Sequence, residues 1–271
     1  MKQLSRVLSI ALVLLKGSGR TKATFVYNVL YPMIYFLLFF VVYGSEAPPT
    51  RLFVGLVTAV VVAGGLYSLS IQLVFMREIG MLRTFYGAPI RAWHMLLGQM
   101  LNVFVIIMCV LLVQGVLAVV YFGLALPAEP LLALGEVSLA IFLMSAIGVL
   151  VSCMVGSIQA SQTITRILFY LMLGVSGAVF PLRIANPWLG FLVQWSPSRV
   201  IYRALDGSFG TTVDAMAELR LAATMLVMAG TCFVVAAWLF KWDRAQPFRA
   251  GFGGMQGARG AMPASAERSG A

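Results

Sequence analysis

The residues able to do chemistry gather in one short stretch, residues 76–93, which reads MREIGMLRTFYGAPIRAW. Arg77, Glu78, Arg83 and Arg91 stand there between two long apolar runs. Their chemistry is ion pairing and hydrogen bonding rather than turnover. The other reactive types are scattered. His94 is the single histidine, and Cys109, Cys153 and Cys232 lie inside apolar runs without C-x-x-C spacing. Such cysteines act as small packing groups rather than metal or disulfide partners. Neither H-E-x-x-H nor G-x-S-x-G occurs, so no hydrolytic site is expected. No G-x-x-x-x-G-K-[ST] occurs either, so any ATPase is expected on another polypeptide.

The elements that position this stretch follow from composition. Of 271 residues, 61% are hydrophobic and only 10% are charged, against roughly 25% charged in a soluble domain. Mean hydropathy is +0.95. The apolar runs approach the ~20 residues that a helix needs to cross a bilayer. The expected fold is an all-α polytopic membrane protein with six transmembrane helices, at 24–43, 52–75, 95–122, 132–155, 164–180 and 219–240. Residues 1–22 carry Leu4, Val7, Leu8, Leu12 and Leu15 at helical spacing, with Lys2, Arg6 and Lys16 between them. That pattern predicts an N-terminal amphipathic interfacial helix. Residues 23–240 then form the six-span domain, and the Gly-, Ala- and Arg-rich residues 241–271 a mobile cytoplasmic tail.

Basic residues orient the chain. With both termini inside, the inner segments hold fourteen Lys and Arg and the outer segments five. This positive-inside bias, in which Arg166 counts with the inner segments, accounts for the net charge of +10 without a nucleic-acid partner. The 76–93 stretch is then cytoplasmic. Its first part, 76–86, reads as a helix with Ile79, Leu82 and Tyr86 against the membrane and Arg77, Glu78 and Arg83 toward water or a partner. Gly87 suits its C-terminus and Pro89 the first turn of the next helix. Trp93 and His94 mark the interface. On the other side, residues 181–218 are too apolar for a solvated loop and predict short helices forming a re-entrant outer hairpin.

Two blocks carry a family resemblance. REIGMLRTFYGAPIRAWHMLLGQM, through Arg77, Glu78, Gly80, Leu82, Ala88, Pro89, Trp93, Leu97, Gly98 and Gln99, resembles the cytoplasmic signature of the ABC-2 type permeases. SGAVFPLRIANPWLGFLVQWSPSRVIYRALDG is similar to their block after span 5, through Ser176, Gly177, Phe180, Pro181, Pro187, Trp188, Pro197 and Tyr202. The resemblance extends to about Phe240. It departs at Met81, where threonine is frequent, at Ser196, where asparagine is, and at Arg203.

The resemblance implies a cytoplasmic coupling helix between spans 2 and 3 that docks on an ATP-hydrolysing subunit. Arg77, Glu78, Gly80, Met81, Leu82, Phe85, Ala88 and Pro89 would carry the coupling, with Met81, Leu82 and Phe85 filling an apolar groove. Two ABC ATPase subunits and a second permease subunit, identical or not, are the implied partners. ATP and Mg would be bound on the ATPase and no cofactor on this chain. The implied location is the plasma membrane of a prokaryote, with both termini cytoplasmic.

Small residues, Gly55, Gly64, Gly65 and Ser68 in span 2 and Gly174, Ser176 and Gly177 in span 5, suggest that these spans line the dimer interface and pathway. Asn28, Ser68, Gln72, Asn102, Gly174 and Ser176 are the candidate pathway residues, and Glu136 the one ionisable group placed within a span. So apolar a route suits export of a hydrophobic or amphipathic substrate: a drug, an antibiotic or a lipid-like molecule. Lipid-linked glycan export or an accessory role in such a complex is the alternative. A secondary carrier would need ionisable groups deep in the spans and paired broken helices, and neither is read here.

Overall fold

The computed structural model describes residues 10–12, 14–15, 34, 37, 48–81, 92–127, 129–178, 187–209 and 214–240. All regular structure among them is helical. The elements are α1 (Pro49–Val62), a π-helical turn π1 (Ala63–Ser68), α2 (Leu69–Glu78), α3 (Ala92–Phe122), α4 (Pro130–Met154), α5 (Ile158–Ser176), α6 (Pro187–Gln194), α7 (Pro197–Ser208) and α8 (Ala215–Leu239). Prolines open α1, α4 and α7, where a missing N–H costs nothing. Four helical stretches are long and apolar enough to cross a membrane: Pro49–Glu78, Ala92–Tyr121, Pro130–Met154 and Ala215–Leu239. They correspond to expected spans 2, 3, 4 and 6. Expected span 1 lies almost wholly outside the described residues. Of it, only Ile34 and Leu37 are described, both helical and exposed.

The expected fifth span needs correction at its start. The helix begins at Ile158, not at residue 164, because Ser157 caps it by accepting from the Ala160 N–H at 3.3 Å. Four of the six residues gained, Gln159, Ser161, Gln162 and Thr163, are polar, and α5 is absent from the four apolar stretches. The N-terminal segment also shifts its inner face. Ile10 and Leu14 join the core while Leu12 is exposed.

α4 is the centre of the bundle, packing against α1, π1, α2, α3, α5, α7 and α8. Its closest approach is to π1. A Cβ on Gly148 would lie 3.1 Å from the Leu66 carbonyl oxygen, and one on Gly65 2.8 Å from the Ser145 nitrogen. The two backbones therefore touch, as small residues permit in membrane helices. Gly64 lies against Ile107 of α3 and Gly55 against the Ala178 carbonyl oxygen. The span 2 glycines thus serve packing within the chain. Only Gly174 of the small residues on α5 looks onto open space.

Gly148→Leu should lower the thermal transition of the detergent-solubilised protein, since overpacking costs about 1–3 kcal/mol. Gly174→Leu should leave it unchanged. Equal shifts in fluorescence-detected gel filtration after heating would refute the π1–α4 contact as the reason for glycine.

Candidate functional site: the clamped ends of α5

Two residues of the polar stretch, adjacent and of opposite charge, bind the turn between α4 and α5. Arg77 Nη2 donates to the Ser152 carbonyl at 2.8 Å and Nη1 to that of Val155 at 3.1 Å. These are carbonyls of the last turn of α4 and of the residue that ends it. The Ile158 N–H, first in α5, donates to Glu78 Oε1 at 2.8 Å. A cation thus sits at a helix C-terminus and an anion at a helix N-terminus, each where the helix dipole and the unpaired backbone groups favour it. Ser70 of α2 and Ser161 of α5, both buried, add a hydroxyl pair at 3.2 Å.

The far end of α5 is held by the same logic. Gly177 ends the helix in the left-handed region at φ 80°. Ser198 Oγ of α7 donates to the Met172 carbonyl at 2.7 Å, and Arg199 Nη1 to that of Ser176 at 2.9 Å. Behind them α7 buries Val200, Ile201, Tyr202, Ala204 and Leu205 against the bundle. Its last turn reaches a pair of buried carboxyls. Ser208 Oγ donates to Glu136 of α4. Glu218 of α8 is buried too, and its carboxyl lies against Gly207, where a Cβ would meet it. Glu136 is therefore enclosed between α4, α7 and α8.

The expected coupling helix over 76–86 is not continuous. α2 runs through residue 76 and ends at Glu78, and Gly80 takes φ 72°. That break falls at a position that only glycine adopts without strain, while Gly87, where a helix end was expected, lies outside the described residues. Arg77 is half-buried in the clamp, while Glu78, Ile79 and Met81 are exposed. Leu82, Phe85, Ala88 and Pro89 lie outside the described residues. His94, expected at the interface, is buried and stacks on Trp93 at 3.7 Å.

Of the candidate pathway residues, Ser68 and Gly174 are exposed and Gln72 is half-buried. Asn102 is buried on α3, and its amide makes no hydrogen bond among the described residues. Ser176 is buried too, its hydroxyl donating to the Leu173 carbonyl and accepting from the Ala178 N–H. Asn28 lies outside the described residues, as do Phe180 and Pro181 of the expected hairpin. Pro187 and Pro197 open α6 and α7. Trp188 is 80% exposed on α6 and Tyr202 is buried on α7.

Arg166, counted with the inner segments although the expected fifth span begins at residue 164, sits eight residues after Ile158 and ten before Ser176, at the middle of α5, and is exposed.

A bundle with four helices long and apolar enough to cross a bilayer defines a multi-pass membrane protein. The sequence profile of the ABC-2 type transporter family matches residues 13–209, and the chain belongs to that family. The match ends at the close of α7, short of the Phe240 to which the resemblance reached. No curated protein matches the chain significantly. The family makes the chain an ABC transporter permease, a transport component that works with an ABC ATPase.

Arg77→Ala removes two charge-assisted hydrogen bonds and should cost about 1–3 kcal/mol. Amide hydrogen exchange over residues 152–160 should rise in this variant and in Glu78→Ala, and not in Arg203→Ala. Unchanged exchange in all three would refute the clamp.

Proposed function

We propose that this permease exports a hydrophobic or amphipathic substrate, and that the Arg77–Glu78 clamp transmits the motion of its ATPase to the α4–α5 turn. The observation that supports this is the position of the clamp. It lies three residues or fewer before the Gly80 break, between the segment that would dock on the motor and the helices that would move. Ile79 and Met81, exposed at 56% and 37% just beyond it, offer apolar surface where a groove on the ATPase would receive it. Arg77 and Glu78 then serve as the linkage itself rather than as ion-pair partners of the motor. Differential binding by ATP-loaded and empty ATPase would bias two arrangements of the bundle.

The working unit on this reading is two permease chains over two ATPases, with ATP and Mg on the latter. Six spans with both termini cytoplasmic fit the charge distribution. Removing Arg166 from the inner set leaves thirteen basic residues inside against five outside. The α6–α7 pair is the re-entrant outer hairpin, with Trp188 and Trp195 at the interface, and the membrane is the plasma membrane of a prokaryote.

Ile79→Asp with Met81→Asp should reduce co-purified ATPase about tenfold, the equivalent of ~1.4 kcal/mol at the contact, with insertion intact. Arg77→Ala and Glu78→Ala should retain the ATPase and its basal hydrolysis but lose transport in proteoliposomes. Loss of ATPase binding in the alanine variants, with α4–α5 exchange unchanged, would instead make those two residues direct contacts of the motor.

A further inference from the structure

We infer that Glu136, Glu218 and Ser208 form a site for one hard divalent cation of the Ca2+ or Mg2+ class, which ties α7 to α4 and α8. Three helices build it. Glu136 lies in the second turn of α4, Ser208 closes α7, and Glu218 lies in the first turn of α8. These helices all pack on one another. Glu136 accepts from Ser208 Oγ, and the Glu218 carboxyl abuts Gly207, the residue before. Carboxyls from two separate helices therefore meet at one corner of α7. Ser208 is wholly buried there, and Glu136 and Glu218 are 3% and 6% exposed.

The unpaired atoms point to a ligand. Glu136 Oε1 and Glu218 Oε2 are enclosed without a hydrogen-bond partner among the described residues. Nor do the bases of these helices turn to them. α4 has none, Arg199 donates to the Ser176 carbonyl, and Arg203 and Arg220 are exposed. Two carboxylates buried side by side are costly without a counter-charge, and one divalent ion balances both. No group of three His, Cys, Asp or Glu residues suited to a metal occurs among the described residues. Here a hydroxyl takes the third place. An all-oxygen set selects a hard cation. Two carboxylates and the hydroxyl offer about five of the roughly six to eight oxygens that Ca2+ takes, and water completes the shell. Ser208 Oγ also donates to the Ala204 carbonyl at 3.1 Å. With its one proton there, its lone pairs are left for the ion. The same three elements carry exposed carboxyls close by in the chain, Glu129 before α4, Asp206 on α7 and Asp214 before α8. These raise the local concentration of cations. The start of α7 holds the last carbonyls of α5 through Ser198 and Arg199, so an ion at its close fixes the seat of α5 as well.

The test uses the full-length chain in detergent, stripped with EDTA and returned to buffer at constant pH and ionic strength. Mn2+, followed by electron paramagnetic resonance, should bind at one ion per chain, and Ca2+ or Mg2+ should displace it. The thermal transition should rise saturably with the same ions. Glu136→Gln and Glu218→Gln should each weaken Mn2+ binding about 100-fold and Ser208→Ala about tenfold, the span that even the outer-shell partners of metals command. Asp206→Asn should keep the bound ion. In EDTA both glutamine variants should melt no lower than the parent chain, because each removes one charge of an uncompensated pair. That comparison separates loss of the ion from loss of the fold.

The absence of saturable binding, an ion that both glutamine variants retain, or a thermal shift that NaCl reproduces would overturn the assignment. So would a transition that follows pH in EDTA and ignores divalent ions, which would give the neutralising charge to protons. None of these readouts requires the ATPase, so they stand or fall separately from the export reading.

Discussion

A helix that ends inside or beside a membrane leaves backbone donors and acceptors that water does not reach. Most of what is distinctive in this bundle follows from how those groups are satisfied. At the α4–α5 turn, Arg77 takes the carbonyls that close α4 and Glu78 the first amide of α5. At the other end of α5, Ser198 and Arg199 take its last carbonyls. None of these bonds is local in sequence. Each brings a residue from another helix to a helix end, so α5 is fixed at both ends by elements that belong to α2 and α7. A helix held this way can carry polar residues along its length without depending on apolar burial, and α5 buries only Ser161, Thr165 and Ser176.

This arrangement explains why the polar stretch has two halves with different work. Up to Glu78 it is the end of a span, and its charges face the bundle. After Gly80, whose φ of 72° breaks the helix, the chain leaves that span. The charges closest to the break connect the two halves.

Four of the expected spans were legible because their apolar runs match the thickness of a bilayer, and Pro130 and Pro197 announce the starts of α4 and α7. The family signature was legible because its glycine and prolines stand at the break and at helix starts. What escaped had a common cause. Hydropathy places helix ends where apolar residues stop, yet α5 starts among serine, glutamine and threonine, since Ser157 caps it and Glu78 receives its first amide. Similarly, glycines mark close approach without saying to what, and here Gly64 and Gly65 meet α3 and α4 of the same chain. Charge type alone set Arg77 and Glu78 toward water or a partner, whereas the α4–α5 turn takes up both side chains.

The π-turn in the first span has a consequence for how the rest of that helix is read. A π-turn takes up one extra residue, and one residue is about 100° of helical rotation. The faces of α1 and α2 are consequently out of phase with the periodicity of an unbroken helix. The half before π1 keeps the angle that seats Phe53 and Val57 in the core, while the half after it is free to aim Arg77 at the α4–α5 turn. One inserted position thus lets a single rod satisfy two unrelated directional demands, one in each half.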